Sequence, residues 1–235
     1  MLKVTSFSSS AVVRLSDSAL VLPAALNAEV DQLWQASNSG GKALFNGKIF
    51  SAVDITPDTV LGRSVEYRHL IAQRAKPELF EALNVRPVAV SGLFQCANGV
   101  VFGRRSGTMT QNAGLWELCP SGGLDTSKTA DGVKMDYCAQ ILTELQEEIG
   151  ISPDVVTDIR PFCLVDDLNS HVIDIGIALT SSLSADEVTA IHRGAATKEY
   201  DELLIVPHDE VARFLEDKRG QLVVVSAALL DCMPR

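Results

Sequence analysis

The stretch ending at Gly150 constrains this chain more than any other. At 100° per residue, Cys138, Ile141, Leu142, Leu145 and Ile149 share an arc of about 100°, which predicts a helix over residues 134–149 with that stripe against a core. Gly150 stops it. Glu144, Glu147 and Glu148 fall on an adjoining arc of similar width, so their carboxylates are neighbours. Like charges at these spacings cost roughly 0.2–0.5 kcal/mol per pair, and the last turn of a helix disfavours an anion by about 0.3–1 kcal/mol. A solvated acidic face on an acidic protein would tolerate such penalties. A divalent cation would reverse them, because hard cations take carboxylate oxygens and keep waters and substrate phosphates as their remaining ligands.

The segment before this helix reads as strands. Val88 to Phe94 and Val100 to Arg105 are apolar runs flanking Asn98-Gly99, the signature of a hairpin. Leu115 to Leu118 is a further strand, followed by Cys119-Pro120-Ser121-Gly122-Gly123, read as a loop. Beyond the helix come strands at 161–165, 172–180 and 203–206, a polar segment, a helix over 209–217 and an apolar segment over 222–230. Residues 1–85 differ, with short alternating runs at 4–7, 11–15 and 48–55 and helix-like stretches at 27–35 and 65–83, the second broken at Pro77. They predict a small α+β appendage, with residues 37–41 as a turn, preceding a main domain over 86–235.

Charge narrows the partners. Among 235 residues, 30 Asp and Glu against 20 Lys and Arg leave a net charge of −10. A polymeric nucleic acid or an anionic membrane needs a clustered cationic surface, so neither is expected. With 46% hydrophobic and 21% charged residues the chain can bury a large core. Its five cysteines are single and odd in number, without a Cys-x-x-Cys pair, which predicts reduced thiols and no structural zinc. The run from Ala19 to Leu26 is too short, and too near Asp17, for a signal peptide, and no stretch reaches transmembrane length, so a cytoplasmic protein is expected. An anionic ligand would need something to cancel the charge.

The sequence Glu144-Leu145-Gln146-Glu147-Glu148-Ile149-Gly150-Ile151 after a Gly-Gly loop resembles the Nudix box, whose pattern ends in Arg-Glu-aliphatic-any-Glu-Glu-any-Gly-aliphatic. Every specified position after the arginine is matched. The arginine itself is Thr143, the upstream glutamate that would pair with it is Met135, and the intervening loop is about six residues longer. Both partners of that pair are absent together, which avoids one unmatched buried charge. A looser resemblance, through Leu33-Trp34, residues 44–50 and Tyr67-Arg68, is to the animal Nudix enzymes that hydrolyse UDP-glucose and UDP-galactose.

The resemblance implies an α/β/α sandwich with a mixed sheet. It implies hydrolysis of a phosphoanhydride in a small nucleoside diphosphate derivative, with Mg²⁺ or Mn²⁺ as cofactor and a homodimer as one possible assembly. Glu147 and Glu148 would be metal ligands, Glu144 a ligand or the group that orients the attacking water, and the Gly122 carbonyl a further ligand. Glu199, with Glu202 next, would supply a later acid. Arg104 or Arg105 would hold a phosphate. Asp174 in an apolar strand is either paired or at a site mouth. His69, His171, His192 and His208 lack metal spacing, and Trp34 or Trp116 could stack on a base. Two other functions fit the family: a non-catalytic nucleotide-metabolite sensor, and an isomerase needing a reactive thiol at Cys119 or Cys163.

Overall fold

The computed structural model describes residues 1–39, 44–109, 111–127, 129, 133–196 and 199–233; part of the expected 37–41 turn lies outside them. In chain order the elements are β1 (Leu2–Ser6), β2 (Val12–Leu15), α1 (Ala24–Asn38), β3 (Lys48–Ile55), β4 (Thr59–Glu66), α2 (Tyr67–Ala75), α3 (Phe80–Leu83), β5 (Val88–Cys96) and β6 (Gly99–Arg105). Then follow β7 (Trp116–Leu118), β8 (Ser121–Gly123), β9 (Lys134–Met135), α4 (Tyr137–Glu144), β10 (Val156–Asp167), β11 (Val172–Ser181), α5 (Ala185–Gly194), β12 (Tyr200–Pro207), α6 (Val211–Lys218) and α7 (Val224–Asp231).

Among the described residues, eight strands form a mixed sheet in the order β1-β10-β11-β5-β6-β12, with β8 added to β5 and β7 added to β6. Only β11 and β5 in it run parallel, and their near-continuous apolar sequences suit strands covered on both faces. On one face Ile141, Leu145 and Ile149 of the acidic helix pack with Val90, Ile175 and Ile177. On the other, α6 and α7 bring Leu215 and Leu229 against Leu93, Phe102 and Val165. The result is α+β, mixed sheets with flanking helices, as expected. No helix among the described residues is long and apolar enough to cross a membrane.

The feature that positions the site is a split in the sheet. β5 and β6 pair only beside their turn, through Gln95↔Val100 and Cys96↔Gly99. Beyond it they diverge, so β8 completes the edge of β5 and β7 completes the edge of β6, leaving an open wedge between them. Ser121–Gly123, expected as loop, is therefore a strand, because the bare edge of β5 supplies a ladder for it.

The N-terminal residues are woven into this architecture. β1 is the edge of the large sheet, from Leu2↔Asp167 to Ser6↔Cys163, and β2 joins a second sheet of order β3-β4-β2-β9, where Val13 faces Met135. Phe7, Val13 and Phe50 share one core with Ile141 and Leu145. Residues 65 and 66, read as helical, end β4 instead. Pro77 breaks the helix as expected. The polar segment after β11 contains α5, opened by a capping box in which Ser184 and Glu187 bond each other's backbone N–H groups.

Candidate active site

The acidic helix begins later than its periodicity suggests. Lys134 and Met135 pair with β2, and the Asp136 carboxylate caps the helix by accepting the Ala139 N–H at 2.9 Å. After Glu144 the backbone widens into one π-helical turn, Leu145–Ile149, and Gly150 terminates it at φ 86°. The last turn carries Glu148 inward. Its side chain is buried, and Oε2 accepts the Ser121 N–H at 2.9 Å and the Tyr200 hydroxyl at 3.1 Å. Glu144 lies against the same strand: Gln140 donates to its Oε1 at 2.5 Å, and a Cβ on Gly122 would stand 2.2 Å from that oxygen. Only glycine lets β8 pass so close to this carboxylate.

Glu147 goes elsewhere. Neighbouring residues on a helix point about 100° apart, so turning Glu148 inward leaves Glu147 exposed on the outer surface beside Thr143, Gln146 and Pro153. Of the three helix glutamates, the structure brings two to β8. The same separation divides the arginines, since adjacent strand residues face opposite sides. Arg105 enters the wedge, where it pairs with Glu117 and, at 3.3 Å, with Glu199. Arg104 lies on the outer side, half-exposed and paired with Glu202 at 3.1 Å.

The wedge thus opens into a cleft of about 470 Å³ whose walls include Arg105, Glu117, Ser121, Gly122, Glu199 and Asp174. Tyr200 ties its two sides together, its hydroxyl lying 3.0 Å from Glu117 and 3.1 Å from Glu148. Burial pushes the Glu148 carboxyl well above the ordinary carboxylate range; the Ser121 N–H opposes that shift, while Glu199, Glu144 and Glu117 add to it. Burial also raises Glu117, against the pull of Arg105. Asp174 is buried and is pushed up to about 6 by that burial, although Ser91 donates to it at 2.9 Å. This is an accumulation of buried acid with a single arginine among the described residues lining the cleft.

Thr143 and Met135 do not brace the loop between Gly123 and Met135. Thr143 donates back to the Ala139 carbonyl at 3.0 Å, and Met135 is buried in the core. The small sheet holds the loop instead. The Phe50 N–H donates to the Leu124 carbonyl at 3.0 Å, and the hydroxyls of Ser64 and Thr126 meet at 2.6 Å. Glu117, Gln140 and Tyr200 were not singled out from the sequence. For Glu117 a signal existed, a lone carboxylate in the apolar run Leu115 to Leu118.

Other candidates fall away from the cleft. Cys119 is buried, and its thiol is pushed up by that burial and by Glu148 and Glu117; burial and Cys232 do the same to Cys163, so neither supplies a ready thiolate. His69 accepts the Glu66 N–H at 3.2 Å, and His171 stacks on Phe80 at 3.6 Å. Among the described residues no three His, Cys, Asp or Glu side chains converge to hold a metal as they stand. The donor set beside β8 is nonetheless all oxygen, and its mutual repulsion suits a hard divalent cation.

No family model and no curated protein sequence matches the chain. Among solved structures it is similar to the protein DR0079 from Deinococcus radiodurans, with 11% identity over 80% of this chain and 99% of that one and a TM-score of 0.49. It is also similar to the Nudix domain of NrtR from Shewanella oneidensis, solved with ADP-ribose, with 16% identity over 66% and 94% of the two chains and a TM-score of 0.44. A third is the MutT Nudix hydrolase from Burkholderia pseudomallei, with 16% identity over 63% and 98% and a TM-score of 0.41.

Proposed function

We propose that this chain is a Nudix-type pyrophosphohydrolase that cleaves a phosphoanhydride in a nucleoside diphosphate linked to another moiety, a UDP-sugar being the first candidate. The observation that carries the reading is the meeting of Glu144 and Glu148 with β8, beside a cleft lined by Arg105, Glu117 and Glu199. Glu144, Glu148, Glu199 and the Gly122 carbonyl would hold Mg²⁺ or Mn²⁺. When bound, such an ion offsets phosphate charge and lowers the pKa of a coordinated water.

The protein's own groups supply the rest. Arg105 presents a planar fork of donors to a diphosphate, with Glu117 fixing its orientation from behind. Tyr200 fixes Glu117 relative to Glu148, so the phosphate-binding side and the acidic side keep one spacing. Gln140 orients Glu144 from one turn earlier in the helix. Glu147, on the outer surface, has no part in this scheme.

Replacing Glu148 by Gln should lower turnover of UDP-glucose in Mg²⁺ by about 100-fold or more. Unchanged turnover would overturn the assignment. A sensor that binds without cleaving is the second reading, favoured by the engagement of Glu117 and Glu199 with Arg105. Calorimetric binding of UDP-glucose, with no product by mass at any Mg²⁺ or Mn²⁺ concentration, would select it.

A further inference from the structure

Resting on the reading above, we infer that Asp174 selects the moiety attached to the diphosphate, accepting hydrogen bonds from the hydroxyls of a neutral, hydroxyl-rich group and turning away an anionic one. Asp174 sits on β11 opposite Ala89 of β5, and both line the cleft. It is only 7% exposed. Ser91 donates to Oδ1 at 2.9 Å, while Oδ2 has no partner among the described residues. A carboxylate this deep with an open oxygen calls for a donor, and the cleft is where one can arrive.

The surroundings specify which donor. Neighbouring Asp167 is already engaged, accepting the Asn169 N–H at 3.0 Å and the Ser170 hydroxyl at 2.7 Å. Arg105, the one arginine among the described residues lining the cleft, is assigned in the reading above to the diphosphate and is paired with Glu117 and Glu199, so it is not also available beside Asp174. A carboxylate or phosphate placed beside Asp174 would therefore meet like charge without relief. An ammonium group would satisfy Asp174 but offers no acceptor to the Asn112 amide that also lines the cavity. Hydroxyls both donate and accept, which matches this mixture. No aromatic ring is among the described residues lining the cleft, so this space offers neither a stacking platform for a base nor a cage for a quaternary amine.

The test compares UDP-glucose, UDP-glucuronic acid and UDP-glucosamine, by kcat/KM in Mg²⁺ and by calorimetric Kd. Wild type should favour UDP-glucose over UDP-glucuronic acid by more than tenfold, and Asp174→Asn, checked for folding by thermal melting, should reduce that ratio to within about threefold. Asp174→Ala should weaken UDP-glucose binding while leaving the affinity for UDP unchanged. Equal treatment of glucose and glucuronic acid by wild type, or a tenfold preference for glucosamine, would overturn the selection by Asp174 while leaving phosphoanhydride hydrolysis standing. Discrimination in Kd that depends on Asp174, without hydrolysis, would support the selection and overturn the catalytic reading. Neither hydrolysis nor binding of any of the three would overturn both.

Discussion

The small sheet and the cleft lie side by side yet are built on opposite principles. In the sheet, Val13, Phe50, Ala52 and Val60 are fully buried, and the buried Ser51 hydroxyl accepts the Arg86 N–H at 3.0 Å. Apolar groups there are packed, and the one buried polar atom of the sheet left without a partner among the described residues, the Arg63 Nε, belongs to a side chain whose terminal nitrogen donates to the Leu83 carbonyl at 2.8 Å. In and beside the cleft, Glu117, Glu148 and Asp174 are buried at raised pKa values, with a single arginine among the described residues lining it. The difference teaches that the first region stabilises a geometry which the second, left to its own electrostatics, would relax. The two should therefore fail differently when altered.

The largest effect should come from the sheet. Phe50→Ala should cost about 3–5 kcal/mol of stability, because its fully buried ring fills the space above Gly62. Chemical denaturation would show it, and loss of activity should track the unfolded fraction. In the cleft, Glu148→Gln should cost about 3 kcal/mol of transition-state stabilisation with an unchanged or higher melting temperature, since a neutral amide carries a smaller burial penalty. A large fall in melting temperature would show that the two regions share one role.

Asp174 sharpens the contrast through pH. Its folded pKa of about 6 lies above the ordinary value of 3.8, so its favourable contribution is fully present below pH 4 and is lost as pH rises through 6. Asp174→Asn removes that loss, since the amide oxygen can still accept from Ser91. The variant should gain on the order of 1–3 kcal/mol relative to wild type between pH 4 and 7, read from denaturant midpoints at each pH. The smallest effect belongs outside both regions. Arg104→Ala should change stability by less than about 0.5 kcal/mol, because its pair with Glu202 is exposed, and should leave KM for UDP-glucose unchanged. A rise in KM would place Arg104 at the substrate.

Much of this arrangement was legible in the chain. The runs around Asn98-Gly99, the apolar stripe from Ile141 to Ile149 and the halt at Gly150 are local patterns, and local physics decided them. The resemblance of the box set Glu144, Glu147, Glu148 and the Gly122 carbonyl together as one ligand set; of these the structure lays Glu144 against Gly122 and bonds Glu148 to the Ser121 N–H. Which of two neighbours turns inward was not legible, because periodicity gives relative angles without the roll of the helix against its sheet. Glu147 and Arg104 went outward for that reason. Tyr200 and Ser121 escaped notice because their partners stand far away in sequence, and α5 hid in a segment whose polarity masked its Ser184–Glu187 cap.

The pairing of β1 with β10 and of β2 with β9 has a kinetic meaning. These contacts close loops over more than half of the chain, whereas the β5–β6 and β6–β7 pairings join near neighbours. Closure entropy opposes the distant pairings most, so they form after the central strands have collapsed. The segment that clasps the loop below the acidic helix is then the latest to arrive. A refolding experiment on a Trp34→Phe background should see Trp116 of β7 recover its fluorescence before the proposed turnover of UDP-glucose returns, the interval between them timing the arrival of residues 2–15.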